Sequence, residues 1–243
     1  MKGNSLIIIP TYNESENIEL IISKILLLND SNDILIVDDN SPDGTSNIVS
    51  DLKKENIDRI FLIVRDTKLG LGSAYKEGFK WALKKNYSYI FEMDADLSHN
   101  PSEIINLKEL LIIRDFDVVI GSRYLECVSV VNWTLSRIFL SYFANIYVRI
   151  ITGMPVKDAT SGFIGYTNES LSSLNIDNIK FNGYAFQIEM KFKLWKKNFK
   201  LMEHQIIFVN RKSGKSKMDK NIIFEAIFGV IRLKLNSLFK IDE

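Results

Sequence analysis

Short apolar runs alternate with helical patterns through the first half of the chain, and that alternation limits the fold more than any other feature. Strands are expected at residues 6–9, 34–37, 59–64, 89–93 and 117–120, with helices at 16–28, 45–55, 73–85 and 101–113 between them. Leu6-Ile7-Ile8-Ile9 and Ile34-Leu35-Ile36-Val37 are continuously apolar, as strands covered on both faces must be. Pro101 suits the first turn of a helix, where a missing N–H costs nothing. Strands that alternate with helices imply an α/β fold with a mostly parallel sheet and right-handed crossovers. Ligands of such sheets bind beyond the carboxyl ends of the strands.

Polar residues concentrate at those ends. The first strand runs into Pro10-Thr11-Tyr12-Asn13-Glu14 and the second into Asp38-Asp39-Asn40-Ser41-Pro42-Asp43-Gly44-Thr45. The fourth runs into Asp94-Ala95-Asp96-Leu97-Ser98-His99, and the fifth into Gly121-Ser122-Arg123-Tyr124. If the chain stays extended past residue 93, Asp94 and Asp96 point to one side and repel each other. A hard cation, Mg²⁺ or Mn²⁺, relieves that repulsion, and such ions are commonly held by carboxylates together with substrate phosphates. The same pattern is compatible with a solvated strand end that caps the next helix. His99 reads as a surface or helix-start residue more readily than as a metal ligand. Of the two adjacent aspartates, Asp38 is the one expected to tie the turn at Pro42-Asp43-Gly44. Lys68-Leu69-Gly70-Leu71-Gly72-Ser73-Ala74 precedes a helix and is either a tight turn or the edge of a phosphate site. It lacks the G-x-G-x-x-G spacing, and no G-K-[S/T] occurs in the chain, which weakens dinucleotide and P-loop readings.

Composition removes other classes. Net charge is +1 over 243 residues, which gives no global argument for nucleic acid. The single cysteine, Cys127, rules out an internal disulfide, and two histidines rule out a multi-histidine metal site. The longest uncharged stretch near the middle, 138–148, falls short of the roughly 20 residues that span a bilayer.

The motifs in this order resemble those of the inverting nucleotide-sugar transferases of GT-A fold, and most closely the dolichol-phosphate (polyprenol-phosphate) mannosyltransferases. Tyr184-Ala185-Phe186-Gln187-Ile188-Glu189-Met190 and Phe208-Val209-Asn210-Arg211, followed by Gly214-Lys215-Ser216-Lys217, extend the match over nearly the whole chain. The resemblance implies a GT-A catalytic domain over 1–220 and a C-terminal amphipathic helical segment over 221–243. It implies a donor site of Pro10, Tyr12, Glu14, Val37, Asp39, Asp94, Ala95, Asp96, Arg123, Arg211 and Lys217, with Val37 and Asp39 near the base. Asp94 and Asp96 would hold the divalent cation. Arg123, Arg137, Ser141 and Arg211 would meet the acceptor phosphate, and Asp96, Arg123 and Arg211 would carry catalysis. Ser98 stands where some relatives have an amide. Gln187 and Glu189 either orient the acceptor side or buttress the fold.

The implied reaction moves mannose from GDP-mannose to dolichyl or polyprenyl phosphate with inversion. A polyprenyl phosphate is already an anion, since a second phosphate pKa is about 6, so no general base is needed. Another donor such as UDP-glucose, or a non-catalytic nucleotide-sugar-binding subunit, remain the alternatives. Residues 128–152 and 222–239 are rich in aromatic side chains with interspersed arginine and lysine, the make-up of helices in a membrane interface, although core packing accounts for part of each. A peripheral protein on the cytoplasmic side of a membrane is expected, or one held there by separate small membrane-anchoring subunits.

Overall fold

The structure, a computed structural model, describes residues 4–28, 32–210 and 220–239. Its sheet begins with strands β1 (Ser5–Thr11), β2 (Asn32–Asp38), β3 (Ile60–Val64), β4 (Tyr89–Glu92) and β5 (Val118–Ser122). The helices among them are α1 (Ile18–Leu26), α2 (Thr45–Glu55), α3 (Leu71–Lys84) and α4 (Glu103–Ile112). The expected elements are therefore all present, with ends displaced by at most two residues. After β5 come β6 (Val130–Val131), α5 (Leu135–Thr152), β7 (Ile164–Thr167) and α6 (Asn168–Ser172). The chain continues through α7 (Gly183–Lys196), β8 (Leu201–Gln205), β9 (Phe208–Val209) and α8 (Lys220–Phe239).

Seven strands lie in the order β3-β2-β1-β4-β7-β5-β8, and β6 pairs with β9 in a separate ribbon. Every strand of the large sheet runs in one direction except β7, which is antiparallel to both β4 and β5. This antiparallel insertion is absent from the expected list, because the alternation that marks the early strands fades beyond β5.

Successive residues of β1 feed opposite faces, as the period of a strand requires. Leu6 and Ile8 join Leu35 and Val37 beneath α3 and α7, while Ile7 and Ile9 join Ile34 and Ile36 beneath α1, α2 and α4. Helix α1 answers with Ile18, Ile21, Ile22 and Ile25, one buried stripe at helical spacing. Burial of each such side chain stabilises the fold by about 1.5–3 kcal/mol. Strand order reverses direction between β1 and β4, so the loops after these two strands diverge and leave a crevice at the carboxyl edge.

Candidate active site

A cleft of about 450 Å³ fills that crevice. The loop after β1 forms one wall, and it is fixed by the loop after β2. Backbone N–H groups of Asn13, Glu14 and Ser15 donate to Ser41 Oγ, Thr45 Oγ1 and Asp43 Oδ2, each at 3.0 Å. Asn13 takes a positive φ of 57°, a conformation that asparagine tolerates. Asp38 is wholly buried and accepts from Thr11 Oγ1 (2.7 Å), Ser41 N (2.8 Å) and Ser41 Oγ (2.6 Å), so its carboxylate closes the turn and does not reach the cleft. Its neighbour Asp39 does line the cleft, where Arg65 pairs with it and Gly70 N donates to its Oδ2 at 3.2 Å. Gly70 has φ of 93°, which a side chain would strain, and this turn starts α3 against the site. Lys68 from the same loop holds its ammonium 4.0 Å from the centre of the Tyr12 ring.

The acidic pair stands at the other wall. Strand β4 ends at Glu92, so Asp94 and Asp96 reach the same cleft through a turn and not by strand alternation. Ser98 N donates to Asp96 Oδ1 at 3.0 Å, and Leu97 is forced to a φ of 61°. A leucine in the left-handed region is strained, and the strain sits next to the pair it positions. Among the described residues, no group of three histidine, cysteine or acidic side chains is arranged to hold a metal. Two carboxylates nevertheless fit a hard cation that completes its shell with diphosphate oxygens and water.

His99 corrects the expectation of a surface residue. It is buried, stacked on Phe163 with ring centres 4.9 Å apart and edge-on to Phe208 at 5.3 Å. Its Nδ1 accepts from Asp94 N at 3.4 Å, and burial holds its pKa down to about 4. The imidazole is thus a neutral prop behind the acidic pair.

Of the remaining residues expected at the site, Pro10, Tyr12, Glu14, Ala95, Arg123 and Arg137 line the cleft. Val37 does not, because its side chain is wholly buried in the core below. Ser141 does not either; its Oγ accepts from Tyr124 O–H at 2.8 Å, one turn of α5 beyond Arg137. Arg123 is largely engaged by a residue that went unnoticed in the sequence. Its Nε and Nη2 each donate to Asp158 at 2.7 Å, and Nη2 also reaches Thr160 Oγ1 at 2.9 Å. Burial drives the Asp158 carboxyl upward, but the Arg123 charge and hydrogen bonds outweigh it and leave the pKa lowered. Arg137 sits over Trp133 with its guanidinium carbon 3.9 Å from the ring centre, and donates to Asn210 Oδ1 at 3.0 Å. Val209 N donates to Ser98 O at 3.1 Å, which stitches β9 to the acidic loop. Arg211 and Lys217 lie outside the described residues.

Beneath the pair is a buried charged cluster that carries no motif. Glu92 is pushed up to about 7 by desolvation, against hydrogen bonds from Gln187 and Tyr166 and the charge of Lys191. Lys191 is held down to about 8 by its own burial and donates to the carbonyls of Ala159 (3.0 Å) and Ser161 (2.7 Å). Glu189 accepts from Lys180 N at 2.9 Å and Phe181 N at 3.0 Å and pairs with Lys193, so it serves the fold.

Residues 6–174 match the family model described as "Glycosyl transferase family 2". The chain is 40% identical to polyprenol monophosphomannose synthase of Mycolicibacterium smegmatis, over 93% of this chain and 85% of that protein. It is 39% identical to undecaprenyl-phosphate mannosyltransferase of Micrococcus luteus, over 93% of this chain and 92% of that one. Its fold is that of glucosyl-3-phosphoglycerate synthase from Mycobacterium tuberculosis, solved with Mn²⁺, UDP and glucosyl-3-phosphoglycerate, at a TM-score of 0.68 and 16% identity over 97% of this chain and 80% of that one. The same enzyme solved with Mg²⁺ and UDP superposes at a TM-score of 0.68 with 15% identity, over 95% of this chain and 79% of that one. With the family model matched over most of its length and close relatives covering nearly all of it, the chain belongs to glycosyl transferase family 2, among the polyprenol-phosphate mannosyltransferases that its motifs resemble.

Proposed function

We propose that this glycosyltransferase moves mannose from GDP-mannose to a polyprenyl phosphate in one inverting displacement. The observation that carries the reading is that opposite charges line one cleft: the carboxylates of Asp94 and Asp96, and the guanidinium of Arg137, preset by Trp133 and Asn210. The two relatives, a polyprenol monophosphomannose synthase and an undecaprenyl-phosphate mannosyltransferase, support mannose as the sugar and a polyprenyl phosphate as the acceptor. The ring of Tyr12 and the carboxylate of Asp39 suit a guanine, whose N1–H and N2–H₂ are donors. Asp94 and Asp96 are the residues that would hold a divalent cation, which when bound would offset the charge of the departing diphosphate. Glu14 and Ala95 complete the donor wall.

An acceptor phosphate oxygen attacks sugar C1 as the bond from C1 to the diphosphate breaks and its electron pair leaves with GDP. The acceptor is already anionic, so this chain needs no base, and His99 is neutral with its Nδ1 already accepting from Asp94 N. The residues have two tasks. Arg137, with Arg211 and Lys217 from the segment that follows Asn210, must hold two anionic groups close together despite their repulsion. Arg123, its charge largely offset by Asp158, lines the same cleft at the end of β5 in a fixed position.

The lipid tail would lie against α5. Leu135, Phe139, Leu140, Phe143 and Ile150 are exposed along this helix, and Phe228 of α8 joins them. Among the described residues no helix is long and apolar enough to cross a membrane. We read the protein as peripheral, on the cytoplasmic face, with or without separate anchoring subunits.

The test is direct. Purified protein with Mn²⁺, radiolabelled GDP-mannose and a short polyprenyl phosphate should place label in lipid, and a chelator should abolish the transfer. Label transferred from UDP-glucose but not from GDP-mannose would overturn the donor; no transfer from either would overturn the reaction.

A further inference from the structure

Gln187 enters α7 in the second turn, and its side chain is buried at the wall of the cleft. Its Nε2 donates to Glu92 Oε2, while Tyr166 O–H donates to the other oxygen of the same carboxyl at 2.8 Å. The amide thus turns its nitrogen toward Glu92 and its carbonyl away from it. The carbonyl Oε1 of Gln187 is then left with no hydrogen-bond partner among the described residues. A buried acceptor in that condition is costly and calls for a ligand.

The neighbouring backbone leaves room for one. A Cβ placed on Gly162 would stand 3.6 Å from Gln187 Nε2 and 4.0 Å from Asp94 Oδ1. The bare glycine therefore keeps open the space between this amide and the acidic pair. The chemistry of that space selects its occupant. A phosphate there would meet the Gln187 carbonyl oxygen, which repels it and offers it no donor. A hydroxyl is neutral, donates to Oε1 and accepts from the second N–H of Nε2. In a nucleotide-sugar whose diphosphate lies at Asp94 and Asp96, and whose base lies at Tyr12, ribose and hexose both carry hydroxyls, and the hexose is the sugar on the far side of the diphosphate from the base.

We infer that the Gln187 side-chain amide, held by Glu92 and given space by Gly162, hydrogen-bonds one hydroxyl of the donor sugar and so reads its identity. This rests on the donor reading above. It also resolves the two roles open for the Gln187 and Glu189 pair: Glu189 holds the fold, and Gln187 faces substrate. Glu92 becomes a positioning residue that acts through Gln187.

The experiment measures kcat/KM of the full chain with GDP-mannose and with its 2-, 3-, 4- and 6-deoxy analogues, together with GDP affinity by calorimetry. Gln187→Ala should lower kcat/KM for GDP-mannose about tenfold, the scale of one neutral hydrogen bond, and leave GDP affinity unchanged. One deoxy donor should show the same loss with the wild type and no further loss with the variant. A residue that merely supports the fold would not produce this selective coupling. Should Gln187→Ala unfold, Gln187→Met, which matches the reach without the amide, carries the same comparison. Equal sensitivity to every deoxy donor in wild type and variant, or a parallel loss of GDP affinity, overturns the assignment. A wild type that turns over no GDP-mannose overturns the donor reading itself, whereas turnover without coupling overturns Gln187 alone.

Discussion

Asp96 lies in the acidic turn with Ser98 N on one oxygen, so its loss removes charge from the cleft without opening the core. Asp96→Ala should reduce transfer by about a thousandfold while the unfolding midpoint stays close to that of the wild type. Transfer within tenfold of wild type would show that the pair is only a turn. His99 makes a different prediction. Truncating it leaves a void against Phe163 and Phe208 and frees Asp94 N, so His99→Ala should cost about 2–4 kcal/mol in a denaturant titration and weaken Mn²⁺ binding. Unchanged stability would contradict the stacked placement. Asp43 offers a pH test away from the cleft. Burial is the largest single influence and raises its pKa, but the hydrogen bonds from Thr45 and Ser15 together outweigh it and bring the value from 3.8 to about 2. A carboxylate depressed in the folded state stabilises it above the unfolded pKa, and the benefit is lost as pH falls through the folded value. Asp43→Ala should therefore cost about 1 kcal/mol at pH 7, as loss of a helix-start cap does, with the difference closing between pH 3.8 and about 2. A constant difference down to pH 2 would contradict this. The acidic pair was legible because charge at the end of an apolar run stands out. Asp158, Glu92, Lys191 and Arg65 were not, since a charged residue in a strand or on a helix reads as solvent-facing until distant segments close over it.

Helix α5 buries only Asn145, Val148 and Thr152 over its whole length, and Thr134 and Gly153 close its two ends. Its other faces carry the exposed Phe139 and Phe143, whose rings stack with centres 6.5 Å apart. Helix α8 docks beside it: Tyr147 O–H donates to Ile227 O at 2.8 Å, Lys234 Nζ reaches Thr152 O at 3.1 Å, and Val230 and Leu233 are buried. Both segments thus divide between core and open surface, as their composition alone allowed. Placing a carboxylate in the apolar face, as in Phe139→Asp or Phe143→Asp, should lower partition onto phospholipid vesicles about tenfold or more. Turnover of a detergent-soluble short-chain acceptor should stay within a few-fold, because neither side chain lines the cleft. Vesicle binding equal to that of the wild type would mean that this face meets something other than lipid. The early elements were legible because each strand is a continuous apolar run between helices of fixed period. Strand β7 was hidden because it enters the sheet antiparallel after a long irregular stretch, and the pairing that defines it is made with β4 and β5, residues far away in sequence.

Across the whole molecule, one sheet edge gathers loops from β1, β2, β4 and β5, and β9 fastens the acidic turn to the segment that leads toward Arg211. In the proposed reaction that cleft receives an anionic donor and an anionic acceptor, and the histidine that lines it, His99, already accepts from Asp94 N. Such a site has a clear stereochemical consequence. A single displacement by the acceptor phosphate on the face opposite the leaving diphosphate inverts C1, whereas a mannosyl-enzyme intermediate would invert it twice. The decisive measurement is the anomeric configuration of the lipid phosphosugar made by the purified protein from α-linked GDP-mannose, read by proton and phosphorus NMR. The β-linked product is predicted; an α-linked product would contradict direct transfer in this cleft.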